Sequence, residues 1–261
     1  MLGAILGDII GSRFEFLPIK HQHFMLFHPR CFPTDDSFMT LAIAEAILTC
    51  RENREDLSQR AVQCMQKWGR LYPDGGYGNM FSNWLQEENP QPYHSFGNGA
   101  AMRVSPCGFA ARSLSEAKAL SHAVTCVTHD HPEGLKGAEA TACAIFLAKS
   151  GKSKEEILSL IRRDYYPMDF TLDSIRDDYF FNETCQETVP QALQAFLEGE
   201  SFEDCIRNAV SLGGDSDTLA AITGGVAQAF FGIPDTLRTQ GESFLDEEMK
   251  AILRAFEEKF S

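Results

Sequence analysis

Carboxylate and hydroxyl side chains are concentrated in two short turns that lie far apart in this sequence. Hard divalent cations such as Mg²⁺ bind carboxylate, hydroxyl and water oxygens, and both turns offer these ligands. Four ionised carboxylates in one pocket would repel one another unless cations neutralised them. If the fold brings the turns together, we predict a site for two metal ions. The predicted ligands are Thr34, Asp35 and Asp36 in the first turn and Asp215, Asp217 and Thr218 in the second.

Each acidic turn also has a purely structural interpretation. Thr and Asp are favoured N-cap residues, and carboxylates interact well with the positive end of a helix. Both turns run into apolar, helix-like stretches, so capping would explain each of them separately. Gly213 and Gly214 precede the second turn and predict unusual backbone dihedrals or a close approach there. Spacing alone leaves capping and metal binding open.

A glycine-rich segment offers groups that bind anions. Gly97, Asn98 and Gly99 permit positive φ angles, and successive amides in such a segment can form an anion-binding nest. If a helix opens at Ala100, these amides lie at its positive end, and Arg103 adds a cation. The alternative is a tight turn followed by an arginine that faces solvent.

Two further positions carry groups suited to proton transfer or hydrogen bonding. His129 and His131 are two residues apart, so they do not share a helix face and do not predict a zinc site. We expect His129 to hydrogen-bond a substrate hydroxyl or phosphate, while a helix-capping loop is the structural alternative. Glu15 lies seven residues after Asp8, which predicts the same side of a helix. Its alternative is an ordinary surface carboxylate.

Helices are the elements that must position these side chains. Residues 38–48 are apolar almost all round and predict a central helix. Residues 217–230 predict a second buried helix, in which Gly224 and Gly225 are tolerable if another backbone packs closely. Pro190 suits the first turn of a helix, and residues 242–260 form the last helical pattern. Predicted caps are Ser113 with Glu116, Ser153 with Glu156, and Ser201.

Length and composition limit the possible classes of protein. The 261 residues suffice for one large domain, so we expect a single all-α domain spanning residues 1–261. The net charge of −14 argues against nucleic acid or an anionic membrane as the main partner. The eight cysteines show no C-x-x-C spacing, which favours reduced thiols and a cytoplasmic location. The oligomeric state stays open, with a monomer compatible with the sequence.

Five segments, taken in order, resemble the ADP-ribosylglycohydrolase family, which includes dinitrogenase-reductase-activating glycohydrolases and animal ADP-ribosyl hydrolases. GDIIGSRFE is similar to the N-terminal motif of the family, and TDDSFMT is similar to its metal-binding turn. GNGAAMRVSP and THDHPEGLKGAEA resemble its central blocks. GGDSDTLAAITGGVAQAFFGIP resembles its C-terminal metal segment. The resemblance spans about residues 1–234, which is nearly the whole chain.

This resemblance implies an orthogonal helical bundle of the ADP-ribosylglycohydrolase type that holds two Mg²⁺ or Mn²⁺ ions. The residues predicted above as metal ligands match those of the family, with Ser37 where the family often has Thr. Glu15 matches a mobile glutamate beside the metals. Positions that touch the diphosphate and ribose of ADP-ribose are matched by Gly97, Asn98, Gly99 and His129.

The implied activity is hydrolysis of the glycosidic bond between the terminal ribose of ADP-ribose and a protein side chain or small conjugate. Glu15 and Asp36 are both predicted catalytic residues, and the sequence does not decide which is the general acid or base. The leaving group, whether arginine, serine or acetyl, stays open. The alternatives are a catalytically silent ADP-ribose binder, a crystallin-like structural protein, and a hydrolase of another nucleoside-diphosphate conjugate.

Overall fold

Helices form nearly all of the regular structure, as the sequence predicts. The computed structural model describes residues 1–260. Within this range there are fifteen α-helices, a short 3₁₀ turn at Ser12–Phe14 and one isolated β-bridge between Gly97 and Thr184. The prediction of an all-α fold is confirmed, and the single domain over residues 1–261 stays a prediction. The helices are α1 Leu2–Gly11, α2 Asp35–Thr49, α3 Leu57–Leu71, α4 Asn79–Gln86, α5 Gly99–Met102, α6 Ser105–Ala110, α7 Leu114–Thr125, α8 Pro132–Lys149, α9 Lys154–Asp164, α10 Leu172–Ile175, α11 Cys185–Glu198, α12 Phe202–Ser211, α13 Ser216–Phe231, α14 Asp235–Glu242 and α15 Glu247–Phe260.

Serine caps begin three helices where the sequence predicts them. Ser113, Ser153 and Ser201 each accept a hydrogen bond from the backbone amide three residues later. Ser153 also completes the reciprocal capping box. Ser113 does not, because the Glu116 carboxylate accepts a hydrogen bond from the Arg112 amide instead.

Two predicted helix boundaries are wrong. Helix α11 begins at Cys185, so Pro190 lies inside the helix and not in its first turn. The helix starts earlier because the Cys185 amide donates to the Phe96 carbonyl at 3.0 Å, which ties its first turn to the neighbouring segment. Residues 242–260 are not one helix, since the Asp246 carboxylate accepts a backbone amide hydrogen bond at 2.9 Å and starts α15.

Helices α2 and α13 form the centre of the molecule. Both were predicted to be buried helices, and residues 216–227 of α13 are buried without exception. Helix α13 packs against α1, α2, α5, α6, α8, α11 and α12, so it contacts elements from both ends of the chain. None of the helices within residues 1–260 combines the length and apolar character that crossing a bilayer requires.

Helices α1 and α13 approach so closely that their backbones touch. Gly3, Gly7 and Gly11 are four residues apart and face α13 along one side of α1. A Cβ atom added to Gly7 would lie 2.0 Å from the Ala220 carbonyl oxygen, and one added to Gly224 would lie 2.1 Å from the Gly3 carbonyl oxygen. Small residues permit this separation. The contact brings the N-terminal carboxylates of the chain beside the second acidic turn, which begins α13.

Candidate active site

The first acidic turn is held in place by Asp8, which was not among the predicted site residues. Asp8 is fully buried in α1, and its oxygens accept hydrogen bonds from the Thr34 amide and hydroxyl at 2.9 and 2.7 Å. They also accept hydrogen bonds from the amide and hydroxyl of Ser37. Thr34 caps α2, since its Oγ1 accepts the Asp36 amide at 3.4 Å. The capping role of this turn is therefore confirmed, and the same contacts fix the direction of Asp36.

The second acidic turn depends on its two glycines and meets the first turn directly. Gly213 and Gly214 have φ angles of 67° and 68°, in the left-handed region that favours glycine. A Cβ atom on Gly214 would also lie 2.9 Å from Tyr179, so the predicted close approach is present. The Thr218 hydroxyl donates to Asp36 Oδ2 at 3.1 Å. This hydrogen bond joins the two turns across most of the chain.

The carboxylates form two overlapping groups that share Asp217. Asp8, Asp36 and Asp217 make up one group, and Glu15, Asp215 and Asp217 make up the other. In each group the chosen oxygen atoms all lie within 4.8 Å of one another. Burial, followed by the neighbouring carboxylates, raises the pKa of Asp36 and of Asp217 well above the ordinary value. Such a cluster is unstable with all its members ionised unless positive charge is supplied.

The residues present fit a bound divalent cation. Asp36 Oδ1 is buried and receives no hydrogen bond from any residue within 1–260. Burial raises the pKa of Asp8 to about 6 and that of Asp35 to about 8, so the negative charge of each group is costly here without a cation. A hard cation would bind Asp36 Oδ1 and neutralise its neighbours. The donor atoms are all oxygens, which is the ligand set such cations prefer.

Glu15 reaches the site by a route that differs from the prediction. Helix α1 ends at Gly11 and the 3₁₀ turn Ser12–Phe14 follows, so Glu15 and Asp8 are not on one continuous helix. Glu15 is partly buried, and burial followed by the Asp215 charge raises its pKa to about 7.

The chain beyond Glu15 is anchored by Lys20. Its ammonium donates to the carbonyls of Arg176, Tyr179 and Leu212 at 2.6, 2.5 and 2.7 Å.

The acidic groups line a cavity of about 380 Å³. Thr34 is the one predicted site residue that does not line the cavity, because it lies behind the turn and is bonded to Asp8. Phe181 and Glu183, which were not predicted, also line the wall. They lie in a segment without a clear helical period, so the sequence pattern offered no signal for them. The predicted residues in the wall are Glu15, Asp35, Asp36, Gly97, Asn98, Gly99, Arg103, His129, Asp215, Asp217 and Thr218.

The glycine-rich segment differs from the predicted anion nest. Neither Gly97 nor Gly99 has a positive φ angle, and α5 begins at Gly99. A Cβ atom on Gly99 would lie 3.4 Å from His129 Nε2, which is ordinary van der Waals contact, so lack of space does not require glycine there. Asn98 is buried, and its side-chain amide donates to Asp215 Oδ2 at 2.7 Å. Asn98 therefore orients a carboxylate of the acidic cluster.

Arg103 does not face solvent as the structural alternative would require. It is 1% exposed, and its guanidinium lies over the Phe81 ring, 5.5 Å from the ring centroid. Its Nη2 donates to Thr128 Oγ1 at 2.5 Å and lies 2.9 Å from His129 Nδ1. Burial and the Arg103 charge lower the pKa of His129 well below its ordinary value. Arg103 thus supports the His129 side of the cavity.

Known proteins resemble this chain in sequence and in fold. A family model described as ADP-ribosylglycohydrolase matches residues 1–260. The chain belongs to the ADP-ribosylglycohydrolase family. A solved structure described as an ADP-ribosylglycohydrolase-related protein complex is similar to it, with a TM-score of 0.72 and 28% sequence identity. That likeness covers 100% of this chain and 96% of the other.

Two curated members of the family show how far the similarity extends. ADP-ribosylarginine hydrolase Tri1 of Pseudomonas putida (strain GB-1) is 28% identical over 264 residues, covering 89% of this chain and 70% of that protein. ADP-ribosylhydrolase ARH3 of Mus musculus is 24% identical over 340 residues, covering 99% of this chain and 91% of that protein. The predicted family and helical fold are therefore confirmed.

Proposed function

We propose that this member of the ADP-ribosylglycohydrolase family is a divalent-cation-dependent ADP-ribosyl hydrolase. Its substrate would be a protein side chain or small molecule joined to the anomeric carbon of the terminal ribose of ADP-ribose. The proposal is supported above all by the meeting of Glu15, Asp36 and Asp217 in one cavity with His129. The names of the relatives, which are ADP-ribosyl hydrolases, support the choice of substrate class.

The acidic cluster would hold two Mg²⁺ or Mn²⁺ ions. Asp36 Oδ1 has no hydrogen-bond partner among residues 1–260, and two carboxylate groups overlap at Asp217. Both features support two neighbouring cation positions. When bound, such ions supply Lewis-acid chemistry and a template for hydroxyl and water oxygens. Asp8 already accepts four hydrogen bonds, so its role would be to position the first turn. The proposed ligands in the cavity wall are Asp35, Asp36, Asp215, Asp217 and Thr218. Thr34 would join them only if its hydroxyl left Asp8.

The reaction forms a bond between a water oxygen and the anomeric carbon and breaks the bond from that carbon to the leaving group. The water loses a proton and the leaving group gains one, so one side chain can relay both. Glu15 suits this role, because it lies in the cavity wall beside the acidic cluster and is only partly buried. Asp36 is buried and accepts a hydrogen bond from Thr218, which favours the role of ligand. Neighbouring carboxylates would stabilise positive charge that develops on the sugar.

The remaining part of the cavity would bind the rest of ADP-ribose. His129 and the segment of Gly97 and Gly99 would contact the diphosphate and ribose. Asn98 would act through Asp215, to which its amide is bonded. Arg103 would act through His129.

A panel of defined conjugates tests this function. ADP-ribosyl-arginine, ADP-ribosyl-serine and O-acetyl-ADP-ribose are incubated with the protein and Mg²⁺, Mn²⁺ or a chelator, and released ADP-ribose is measured. We expect release that needs a divalent cation, that is abolished in Asp217→Asn, and that falls about 10²- to 10⁴-fold in Glu15→Gln. Asp164→Asn is the matched control, because Asp164 pairs with Arg163 on the surface.

The possible failures are distinguishable. Binding of ADP-ribose without release from any conjugate would favour a catalytically silent binder. A conjugate of a different nucleoside diphosphate is added to the panel, and turnover of that conjugate alone would favour a hydrolase of another nucleoside-diphosphate conjugate. Release that persists in the chelator would refute the cation dependence. Normal turnover of Glu15→Gln would remove Glu15 from the chemistry.

A further inference from the structure

The contacts of His129 decide which of its ring nitrogens carries a proton. Nδ1 lies 2.9 Å from Arg103 Nη2 and 2.7 Å from Thr128 Oγ1. A hydroxyl can donate or accept, so Thr128 is compatible with either state of the ring. A guanidinium only donates and stays protonated in proteins. Nδ1 must therefore accept the hydrogen bond from Arg103, and it has no proton of its own.

The other ring nitrogen then carries the proton of a neutral imidazole. Nε2 lies 3.4 and 3.6 Å from the positions that Cβ atoms on Gly99 and Gly97 would occupy, so it is on the glycine-rich side of the cavity. Within residues 1–260 the hydrogen bonds of this ring are made through Nδ1. An N–H at Nε2 is thus free to donate into the cavity.

Arg103 is itself held firmly enough to impose this arrangement. It is 1% exposed, its Nη2 donates to Thr128 Oγ1 at 2.5 Å, and its guanidinium lies over the Phe81 ring. Arg103 contacts His129, and the ring centroid of Tyr93 lies 5.8 Å from that of the imidazole. Other titratable groups that line the same cavity are Glu15, Asp35, Asp36, Glu183, Asp215 and Asp217. Titratable groups near Arg103 are Tyr93, Asp35, Cys185 and Cys107, and burial raises the pKa of both thiols and of the phenol.

We propose that Arg103 is a positioning residue that holds His129 as the neutral Nε2–H tautomer, which presents one fixed donor to an anionic oxygen in the cavity. That this oxygen belongs to a phosphate of ADP-ribose rests on the proposed function. The assignment of Arg103 and of the tautomer rests on the contacts alone. It also gives a physical reason for a buried cation in the cavity wall beside the binding segment.

Nuclear magnetic resonance of the ¹⁵N-histidine-labelled protein tests the tautomer. Two-bond ¹H–¹⁵N correlation spectra distinguish a protonated from an unprotonated ring nitrogen, and His129→Gln assigns the signal among the seven histidines. We expect wild-type His129 to show a proton on Nε2 only, between about pH 5 and pH 8. A proton on Nδ1 in this range overturns the proposal.

Three variants test the role of Arg103. Arg103→Met removes the donor, and we expect His129 to sample both tautomers and to titrate closer to about pH 6.5. Thr128→Val removes the hydroxyl but keeps the guanidinium, so the Nε2–H tautomer should persist. Arg103→Lys keeps a group that only donates, so the same tautomer should persist if the Met variant does not fold. A wild-type signal in Arg103→Met, or a proton on Nδ1 in Arg103→Lys, overturns the proposal.

Binding of ADP-ribose gives a second measurement. We expect calorimetry to show about tenfold weaker binding of ADP-ribose to Arg103→Met than to wild type, with Thr128→Val close to wild type. Equal affinity in Arg103→Met would remove the donor role of Nε2. If wild type binds no ADP-ribose at all, the proposed function fails, while the tautomer assignment is still decided by the spectra.

Discussion

The backbone contact between α1 and α13 predicts a large effect for a very small substitution, Gly7→Ala. The added Cβ atom would lie 2.0 Å from the Ala220 carbonyl oxygen and 2.4 Å from its carbon. A carbon atom normally lies about 3.3 Å or more from a carbonyl oxygen. The helices must therefore separate by about 1.3 Å, because neither contacting group can rotate away.

The free energy of unfolding follows from this displacement. Overpacking costs about 1–3 kcal/mol and occasionally more, and a backbone clash belongs at the upper end of that range. Alanine gains about 1 kcal/mol over glycine in a helix, so the expected net loss for Gly7→Ala is about 2 kcal/mol. Asp8 follows Gly7 directly, and catalytic groups tolerate only about 0.5 Å of displacement. We therefore also expect divalent-cation affinity to fall at least about tenfold.

Gly225→Ala is the matched control, since it makes the same chemical change inside α13. Its added Cβ atom would lie 3.2 Å from Ile145 Cδ1, the end of a flexible side chain, and 3.3 Å from Ser105 Cβ, so a shift of a few tenths of an ångström relieves both contacts. Urea denaturation followed by circular dichroism should place this variant within about 1 kcal/mol of wild type. Mg²⁺ titration calorimetry measures the affinity of both variants. The reasoning is refuted if Gly7→Ala is as stable as Gly225→Ala and binds Mg²⁺ as wild type does.

The hydrogen bonds of Asn98 and Lys20 predict moderate changes in Mg²⁺ affinity and in the free energy of unfolding. In Asn98→Ala, Asp215 loses the amide that orients it. We expect calorimetry to show about tenfold weaker Mg²⁺ binding, with little change in stability. Unchanged affinity would mean that Asn98 does not orient a cation ligand. In Lys20→Met, three backbone carbonyls lose a charged donor that is exposed enough for water to replace it in part, so urea denaturation should show a loss of about 1–2 kcal/mol. Lys152→Met, which loses one exposed surface ion pair, should lose less than about 0.5 kcal/mol, and equal losses in the two variants would contradict the anchoring role.

The sequence predicts the positions of the helices in this protein better than the tertiary contacts between them. Burial of α13 follows from its apolar composition, and the close approach at Gly224 follows from a glycine that a helix otherwise disfavours. Ser153 and Ser201 cap helices because their effect is local. Pro190 shows the limit of local reasoning, because the start of α11 is decided by a hydrogen bond to a distant segment.

The acidic site shows the same limit. Asp8 lies in the apolar helix α1, and a lone carboxylate between Gly7 and Ile9 was the available signal that it has partners. Its partners, Thr34 and Ser37, lie more than twenty residues away, so only the fold reveals the hydrogen bonds. Arg103 was predicted to bind substrate, which stays a prediction, and the structure adds a contact with His129 that the sequence pattern did not indicate. Sequence patterns identified the chemical groups of the site. The hydrogen bonds between them depend on the tertiary fold.

Without bound metal, the acidic cluster should destabilise the folded protein. Removing one of its carboxylate charges should therefore increase the free energy of unfolding. Asp36 is buried, its Oδ1 has no partner within residues 1–260, and its pKa is raised well above the ordinary value. Folding at neutral pH without a cation must therefore protonate Asp36 or bury its charge. Asn has the same shape and no charge, so we expect Asp36→Asn in chelator to be more stable than wild type by at least about 1 kcal/mol in urea denaturation.

Added Mg²⁺ should reverse this order. Mg²⁺ at 100 times its Kd stabilises the folded state by about 2.7 kcal/mol. Wild type should gain this free energy, whereas Asp36→Asn should not, because it lacks a carboxylate that binds the cation. Asp164→Asn separates this effect from the general loss of a negative charge, because Asp164 lies on the surface beside Arg163 and should behave as wild type in both conditions. An Asp36→Asn protein that is destabilised in chelator would mean that the carboxylate stabilises the fold by itself. An Asp36→Asn protein that is stabilised by Mg²⁺ as much as wild type would mean that the cation binds elsewhere.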